Sequence, residues 1–332
     1  MPAVVETFGL TKIYKLDFLQ AEYGRLKVRL SPGKRRRVAL KDLSLAVEDG
    51  EIFGLLGPNG AGKTTTLKIL MGIIFATRGT ARLLGRPLGD KWAKARIGFL
   101  PENPYFYDYL TGREFLKYYA QLYGIPRSER LRRADALLER VGLREAANLP
   151  LRGYSKGMLQ RIGLAQAILN DPQIVILDEP QSGLDPLGRK EIRDIILQLR
   201  EEGKAVFFSS HILSDAEMLC DRVGILYGGE LKNIGRLSDL LSHRIKEYEI
   251  VARGVSEAAL EQWKPRVARL LVQRDEAMIV VREENDAREV LSAIQKLGAT
   301  LTSFNPRRET LEEYFIEQVR GEKDGQGLGN RS

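Results

Sequence analysis

The sequence has little of what an extracellular or membrane-spanning protein needs. Cys220 is the only cysteine in 332 residues, so no disulfide can form within the chain, which fits a reducing compartment. No apolar run approaches the roughly 18–20 residues that a membrane-spanning helix requires. The first residues lack the basic-then-apolar order of a signal peptide. We therefore expect a cytosolic chain without a membrane span of its own.

Acidic residues are outnumbered, and the imbalance is local. The net charge is +8, with 43% hydrophobic and 29% charged residues, which is ordinary for a globular protein. Residues 24–37 contain seven basic residues and no acid: Arg25, Lys27, Arg29, Lys34, Arg35, Arg36 and Arg37. Such a segment can bind nucleic acid or an anionic membrane surface, and composition leaves both open.

Predicted strands and helices alternate over the first two thirds of the chain. Strands are predicted at residues 4–14, 39–47, 51–56, 81–84, 97–100, 174–177, 205–209 and 223–227. Helices are predicted at residues 65–74 and 189–202, and residues 110–170 are mostly helical. This alternation predicts an α/β domain whose mainly parallel sheet is covered on both faces. We place this domain at residues 1–236, with a helical subdomain at about 105–170.

The pattern changes after residue 236. Residues 245–304 are predicted to follow the order β-α-β-β-α-β, which is typical of a small ferredoxin-like α+β unit. A helix is predicted at residues 310–319, so we place an accessory domain at residues 237–320. The Gly-rich, polar residues 321–332 are predicted to be a disordered tail.

A phosphate-binding loop follows the third predicted strand. Residues 57–64 match the P-loop pattern G-x-x-x-x-G-K-[ST] in full. The glycines let backbone N–H groups point inward, and the following helix turns its positive dipole end to the same anion. Lys63 supplies a cation for the β- and γ-phosphates, and Thr64 supplies a hydroxyl for Mg²⁺. The predicted phosphate site is Gly57, Pro58, Asn59, Gly60, Ala61, Gly62, Lys63, Thr64 and Thr65.

Two carboxylates end the apolar strand predicted at residues 174–177. Asp178 and Glu179 fall at its carboxyl end, where ligands lie in open α/β sheets. Asp178 suits Mg²⁺, and Glu179 is the candidate base or polariser of an attacking water. Without the other motifs, a solvated acidic turn before Pro180 would explain Asp178 and Glu179 equally well. Downstream of a P-loop, we interpret it as catalytic.

These motifs and three more stand in the order of the ATP-binding cassette family, which residues 4 to about 235 resemble. Residues 154–161, YSKGMLQR, resemble the signature LSGGQ-x-x-R; residues 182–186 resemble the D-loop; and His211 follows the next strand as the switch histidine does. The resemblance implies that ATP with Mg²⁺ is bound and hydrolysed by a dimer of cassettes. It implies that Ser155 and Gly157 contact the γ-phosphate held by the other copy, that His211 senses this phosphate, and that Asp185 lies at the dimer seam.

The sequence departs from the family pattern at several positions. Lys156 replaces a glycine of the signature, and Met158 replaces its glutamine. Glu102 occupies the place of the Q-loop glutamine, where a carboxylate can reach Mg²⁺ but cannot donate a hydrogen bond. Tyr14 matches the aromatic residue that stacks on adenine, and Tyr23 remains a rival for this role.

Within the family, the chain resembles the ATPases of drug and sodium exporters, whose permease is a separate polypeptide. The resemblance implies an integral-membrane permease partner, a peripheral location on the cytoplasmic face of the membrane, and docking through the helical region. Aromatic residues cluster there at Tyr105, Phe106, Tyr107 and Tyr109. The basic segment is a candidate for contact with anionic lipid, and a nucleic acid partner is not expected.

Some alternatives stay open at this point. A soluble regulatory or nucleic-acid-linked cassette ATPase is the second interpretation. A protein that only binds nucleotide is disfavoured because Lys63, Asp178, Glu179 and His211 are all present. The sequence does not distinguish a homodimer from a heterodimer, and it names no cargo.

Overall fold

A computed structural model describes residues 2–15, 20–22, 25–27, 36–241, 245–256, 260–261 and 263–316. The chain divides into two compact units, Met1–Leu237 and Ser238–Ser332, next to the boundary that we predicted after residue 236. Several predicted features lie outside the described residues: most of the basic segment, Tyr23, the end of the helix predicted at 310–319, and the tail.

The first unit contains an antiparallel sheet in the order β4-β1-β6-β7. Its strands are β1 Ala3–Lys15, β4 Arg36–Glu48, β6 Arg78–Leu83 and β7 Arg86–Pro87. Two short strands, β2 Gln20–Glu22 and β3 Arg25–Lys27, pair separately with each other. The long β1–β4 pairing sets Tyr14 opposite Arg37 near the end of β1.

The second sheet of this unit is mainly parallel and carries the predicted motifs. Its order is β12-β11-β5-β10-β9-β8. The strands are β5 Ile52–Leu56, β8 Ile97–Leu100, β9 Ile174–Asp178, β10 Ala205–Ser210, β11 Arg222–Tyr227 and β12 Glu230–Arg236. Only β12 runs antiparallel to its neighbour. Because β5, β9 and β10 are parallel and fully buried, their carboxyl ends meet at one edge, which confirms the α/β prediction.

Helices of the first unit account for the predicted helical segments. They are α1 Lys63–Leu70, α2 Lys91–Lys94, α3 Gly112–Leu122, α4 Arg127–Arg140, α5 Lys156–Ala167, α6 Pro186–Glu201, α7 Leu213–Leu219 and, at the boundary, α8 Leu237–Leu240. The prediction for residues 110–170 is confirmed as α3, α4 and α5. Thr111 and Glu114 form a reciprocal cap at the start of α3. α1 begins two residues earlier than predicted and ends four residues earlier, before Gly72, whose φ of 69° breaks the helix.

The second unit is an antiparallel sheet with a helix packed on it. Its elements are β13 Ile245–Arg253, β14 Arg269–Gln273, β15 Glu276–Val281, α9 Glu284–Lys296 and β16 Thr300–Arg308. The strand order β14-β15-β13-β16 is that of a ferredoxin-like sheet, the fold predicted from the order of elements along the chain. Val290 and Ile294 of α9 pack with Ile250 and Ile279 of the sheet. Residues 260, 261, 263 and 311–316 are also helical. None of the helices in the described residues combines the length and apolar character needed to cross a bilayer.

A chain that ends at Leu237 should unfold in one cooperative transition and still bind ATP, because it keeps the first unit and every predicted phosphate-facing residue. Ending the chain at Gly229 instead removes β12, whose Leu231 and Ile234 pack against the main core, and should lower the melting temperature sharply. Calorimetry and nucleotide titration of both chains measure this. A chain to Leu237 that folds but does not bind ATP would contradict the predicted domain boundary.

Candidate functional site

The P-loop joins β5 to α1 and accepts only glycine at its turns. Gly57, Gly60 and Gly62 have φ angles of 156°, 83° and 115°. A Cβ atom on Gly57 would lie 2.1 Å from the Leu226 carbonyl oxygen, and one on Gly62 would lie 2.5 Å from that of Ala39. The loop therefore packs its backbone against two neighbouring strands. The N–H groups of Gly57 and Ala61 donate to the carbonyls of Ser210 and Pro58, and the start of α1 presents further N–H groups to an anion.

Lys63 is the first residue of α1 and is buried, with 5% of its side chain exposed. Its ammonium donates to the carbonyl oxygens of Gly57 at 2.7 Å and Pro58 at 3.3 Å. It also lies 3.1 Å from Oε1 of Glu179. The P-loop cation and the carboxylate after β9 are therefore in direct contact, although they are distant in sequence.

Asp178 is held by two hydroxyl groups from other elements. Thr64 donates to its Oδ1 at 3.1 Å, and Ser209 of β10 donates to the same oxygen at 2.7 Å. The N–H of Glu179 donates in turn to the Ser209 hydroxyl at 3.0 Å. Burial raises the pKa of Asp178, the two hydroxyl hydrogen bonds oppose this rise, and the charges of Glu102 and Glu179 add to it.

Glu179 adopts a backbone conformation that is unusual for a side chain with a Cβ. Its φ is 51°, a left-handed value that costs a non-glycine residue about 1–3 kcal/mol. This turn after β9 points the carboxylate back toward the P-loop, where Oε2 lies 2.7 Å from Nδ1 of His211. One oxygen of Glu179 thus faces Lys63 and the other faces His211.

These groups border an open polar cavity of about 320 Å³. Its lining residues are Tyr14, Arg37, Ala39, Asn59, Gly60, Gly62, Lys63, Thr64, Thr65, Glu102 and Glu179. Gly57, Pro58, Asp178 and His211 lie behind this lining, in hydrogen-bond contact with Lys63, Thr64 or Glu179. Ala61 is buried within the loop. The ring of Tyr14 and the P-loop therefore border the same cavity.

Three predicted residues lie elsewhere in the same chain. Ser155, Gly157 and Asp185 line a second cavity of about 430 Å³, which shares no lining residue with the first. Ser155 caps α5 by accepting from the N–H of Met158 at 3.3 Å, and Asp185 caps α6 by accepting from that of Gly188 at 2.7 Å. Within one copy, the signature loop therefore does not face the P-loop.

Sequence reasoning missed three residues of this site. Sequence patterns place Ser209 only at the end of the strand predicted at residues 205–209, although its hydroxyl bonds to both Asp178 and the N–H of Glu179. Ala39 was counted only as part of a strand. Arg37 was assigned to the basic segment, yet its side chain lines the cavity. The signal available for Ser209 was its place at the end of a buried strand. Nothing local singled out Arg37.

The side chains present fit a magnesium ion. The Thr64 hydroxyl and the Asp178 carboxylate are hard oxygen ligands that lie next to each other, and Glu102 lines the same cavity. In the described part of the chain, no three His, Cys, Asp or Glu residues form a metal-binding cluster. Magnesium in phosphate sites usually takes one or two carboxylates and completes its shell with phosphate and water, so this donor set suffices.

Comparison with known proteins gives consistent similarities. A family model described as ABC transporter matches residues 40–182. The chain is 49% identical over 319 residues to an ABC transporter ATP-binding protein of Synechocystis sp., covering 96% of this chain and 85% of the relative. It is 34% identical over 325 residues to the bacitracin transport ATP-binding protein BcrA of Enterococcus faecalis, covering 97% and 98%. The ATP-binding cassette MJ0796, solved as a dimer in a post-hydrolysis state with ADP and phosphate, matches with a TM-score of 0.60 at 26% identity, covering 70% of this chain and 98% of that one.

Replacing Ser209 by alanine should lower the free energy of unfolding by about 1–3 kcal/mol, because buried Asp178 loses a donor and the N–H of Glu179 loses its acceptor. Ser210→Ala is the matched control, because among the described residues the Ser210 hydroxyl bonds to the backbone of Ile212 and not to either carboxylate. Urea unfolding of both variants measures the difference. Equal stability of Ser209→Ala and the wild type would contradict the role assigned to this hydroxyl.

Proposed function

The chain belongs to the ABC transporter ATP-binding proteins, and on this basis we propose that it is the motor of an exporter whose permease is a separate integral-membrane protein. Its cassette binds ATP, dimerises around it and hydrolyses it for transport. The similarity to a protein of bacitracin transport along nearly its whole length supports a drug-type exporter. The observation that carries the assignment of catalytic residues is the contact of Glu179 with both Lys63 and His211.

Lys63 is proposed to exchange the Glu179 carboxylate for a phosphate oxygen as its counter-anion when ATP binds. Its ammonium has three donors, and two carbonyl oxygens and the Glu179 carboxylate are its partners. A phosphate oxygen at the same ammonium takes over the role of the carboxylate as counter-anion. Glu179 is then free to turn to a water, while the two carbonyls keep Lys63 in place.

Glu179 is proposed to polarise the water that attacks the γ-phosphate, because its left-handed backbone aims it at the P-loop. His211 lies against the second oxygen of this carboxylate, so it can hold the side chain in orientation and respond when the γ-phosphate leaves. Thr64 and Asp178 would hold Mg²⁺, which supplies positive charge to the phosphates. Tyr14 would stack on the base at the other end of the cavity.

The separate location of the signature residues supports a role for them in a dimer. Ser155 and the N–H of Gly157 lie at the start of α5, which favours an anion, but the P-loop of the same copy is outside their cavity. A two-fold axis solves this, because it presents each α5 to the ATP held by the other copy. Asp185 would then lie at the seam. Whether the two copies are identical stays open.

The permease is proposed to dock on the exposed aromatic residues before α3. Tyr105 is 92% exposed and Tyr109 is 67% exposed, so two neighbouring aromatic rings are open to a partner. Beside them lies a cavity of about 300 Å³ whose lining includes Phe106, Leu151 and Tyr154. Docking here would hold the chain at the cytoplasmic face of the membrane. Contact of the basic segment with anionic lipid stays a proposal, since most of that segment lies outside the described residues.

Glu179→Gln should produce a dimer that persists with ATP, because glutamine keeps the size of the side chain but does not activate water. Light scattering after size exclusion should show a shift from monomer to dimer with ATP and not with ADP. Lys63→Ala is the control, since without its cation the P-loop should neither hold ATP nor form the dimer. Hydrolysis by Glu179→Gln at the wild-type rate would contradict the catalytic role of this carboxylate.

Replacing both Tyr105 and Tyr109 by alanine should release the chain from native membranes by removing apolar contact area. Their exposure means that the fold and the ATPase rate of the isolated protein should stay unchanged. Phe75→Ala is the control, because Phe75 is 84% exposed and lies outside the helical subdomain. Sedimentation with membranes quantifies the effect. Unchanged membrane association of the double variant would argue against this docking surface.

A further inference from the structure

We propose that Arg37 is a second cation of the nucleotide site and contacts the phosphate chain of bound ATP. This inference rests on the proposed binding of ATP between Tyr14 and the P-loop. It assigns to one residue of the basic segment a role at the nucleotide, in place of the membrane contact that we had predicted for the segment as a whole.

The pairing of β1 with β4 places Arg37 directly opposite Tyr14. Residues that face each other across an antiparallel pair have their side chains on the same face of the sheet, about 5 Å apart at Cβ. Both side chains line the same cavity. The register that brings Tyr14 to the nucleotide therefore brings Arg37 there as well.

The guanidinium of Arg37 reaches the P-loop. A Cβ atom placed on Gly60 would lie 3.3 Å from Nη2 of Arg37. Gly60 is exposed at the tip of the loop, has a left-handed φ of 83° and carries no side chain, so the Arg37 guanidinium can lie against its backbone. The guanidinium thus extends from the strand of the aromatic ring to the loop that surrounds the phosphates.

The charge of Arg37 suits the anion that this cavity is proposed to hold. Four charged side chains line the cavity: Arg37, Lys63, Glu102 and Glu179. Lys63 is in contact with Glu179. Among the described residues, no carboxylate forms an ion pair with Arg37. A guanidinium offers several donors in one plane and pairs with two phosphate oxygens at once, so a phosphate chain is its natural partner.

Arg36 provides a matched control on the same strand. It is the neighbour of Arg37 in β4, so its side chain points to the opposite face of the sheet. It is exposed and does not line the cavity. Arg36→Ala and Arg37→Ala remove the same charge one residue apart, and only Arg37→Ala removes it from the site.

The test measures the dissociation constant of ATP for the full-length wild type and for Arg37→Ala, Arg37→Lys, Arg36→Ala and Lys63→Ala at several salt concentrations. Arg37→Ala should weaken ATP binding about 5- to 20-fold, as expected for one charge-assisted hydrogen-bonded contact. Its affinity should also depend less on salt, because one charge pair is lost. Arg37→Lys should recover part of the affinity, because it keeps the charge but not the paired donors of the guanidinium, and Arg36→Ala should bind like the wild type. Equal melting temperatures of the wild type and the Arg36 and Arg37 variants without nucleotide verify that their fold is intact.

The outcomes separate this inference from the proposed function. If Lys63→Ala weakens binding and Arg37→Ala does not, Arg37 has no role at the nucleotide and the inference alone is wrong. If Lys63→Ala also binds like the wild type, the P-loop assignment itself fails. If Arg37→Ala binds weakly but its salt dependence is unchanged and lysine does not rescue it, the guanidinium acts on the base, which overturns the phosphate contact.

Discussion

A buried contact between Lys63 and Glu179 ties the site together. Only 5% and 7% of the two side chains are exposed, and their charged atoms lie 3.1 Å apart. Either charge alone would be costly in this position, since breaking a buried pair by removing one partner commonly costs about 3–5 kcal/mol. The loop after β5 and the turn after β9 are therefore held against each other, and an incoming phosphate has to compete with a carboxylate for the same ammonium.

The register of the parallel sheet determines what surrounds this contact. Ser209 of β10 pairs with Asp178 of β9, and its hydroxyl bonds to both Asp178 and the N–H of Glu179. A shift of one residue would place Phe208 or Ser210 there and would turn the paired side chains to the other face of the sheet. The full burial of all three central strands fixes the register, because slippage would disrupt the apolar packing on both faces. The core thereby positions the polar groups at its edge.

Much of the fold was predictable because its signals are local. The P-loop, the strand ending in Asp178 and Glu179, and the order of strands and helices along the second unit follow from patterns of a few residues each. The left-handed backbone of Glu179 was not predictable, because it depends on the Lys63 and His211 contacts made by distant parts of the chain. The end of α1 was placed too late, since the periodicity of its apolar residues continues past Gly72. For Ser209, the missing information was which strand would lie beside β9.

By itself, the sequence determined which chemical groups are present and their order along the chain: a glycine loop, a lysine, two carboxylates, a histidine and an anion-binding helix start. It did so because each motif is a short run whose residue types are required by local backbone geometry. Only the tertiary structure decided which groups share a chamber. In the fold, Glu179 contacts Lys63 and His211, and Ser155 and Gly157 line a different cavity of the same copy. Arg37, which the sequence assigns to a basic segment, lies beside the P-loop. The physical reason is that strand register and burial act between residues far apart in sequence, where no local pattern records them.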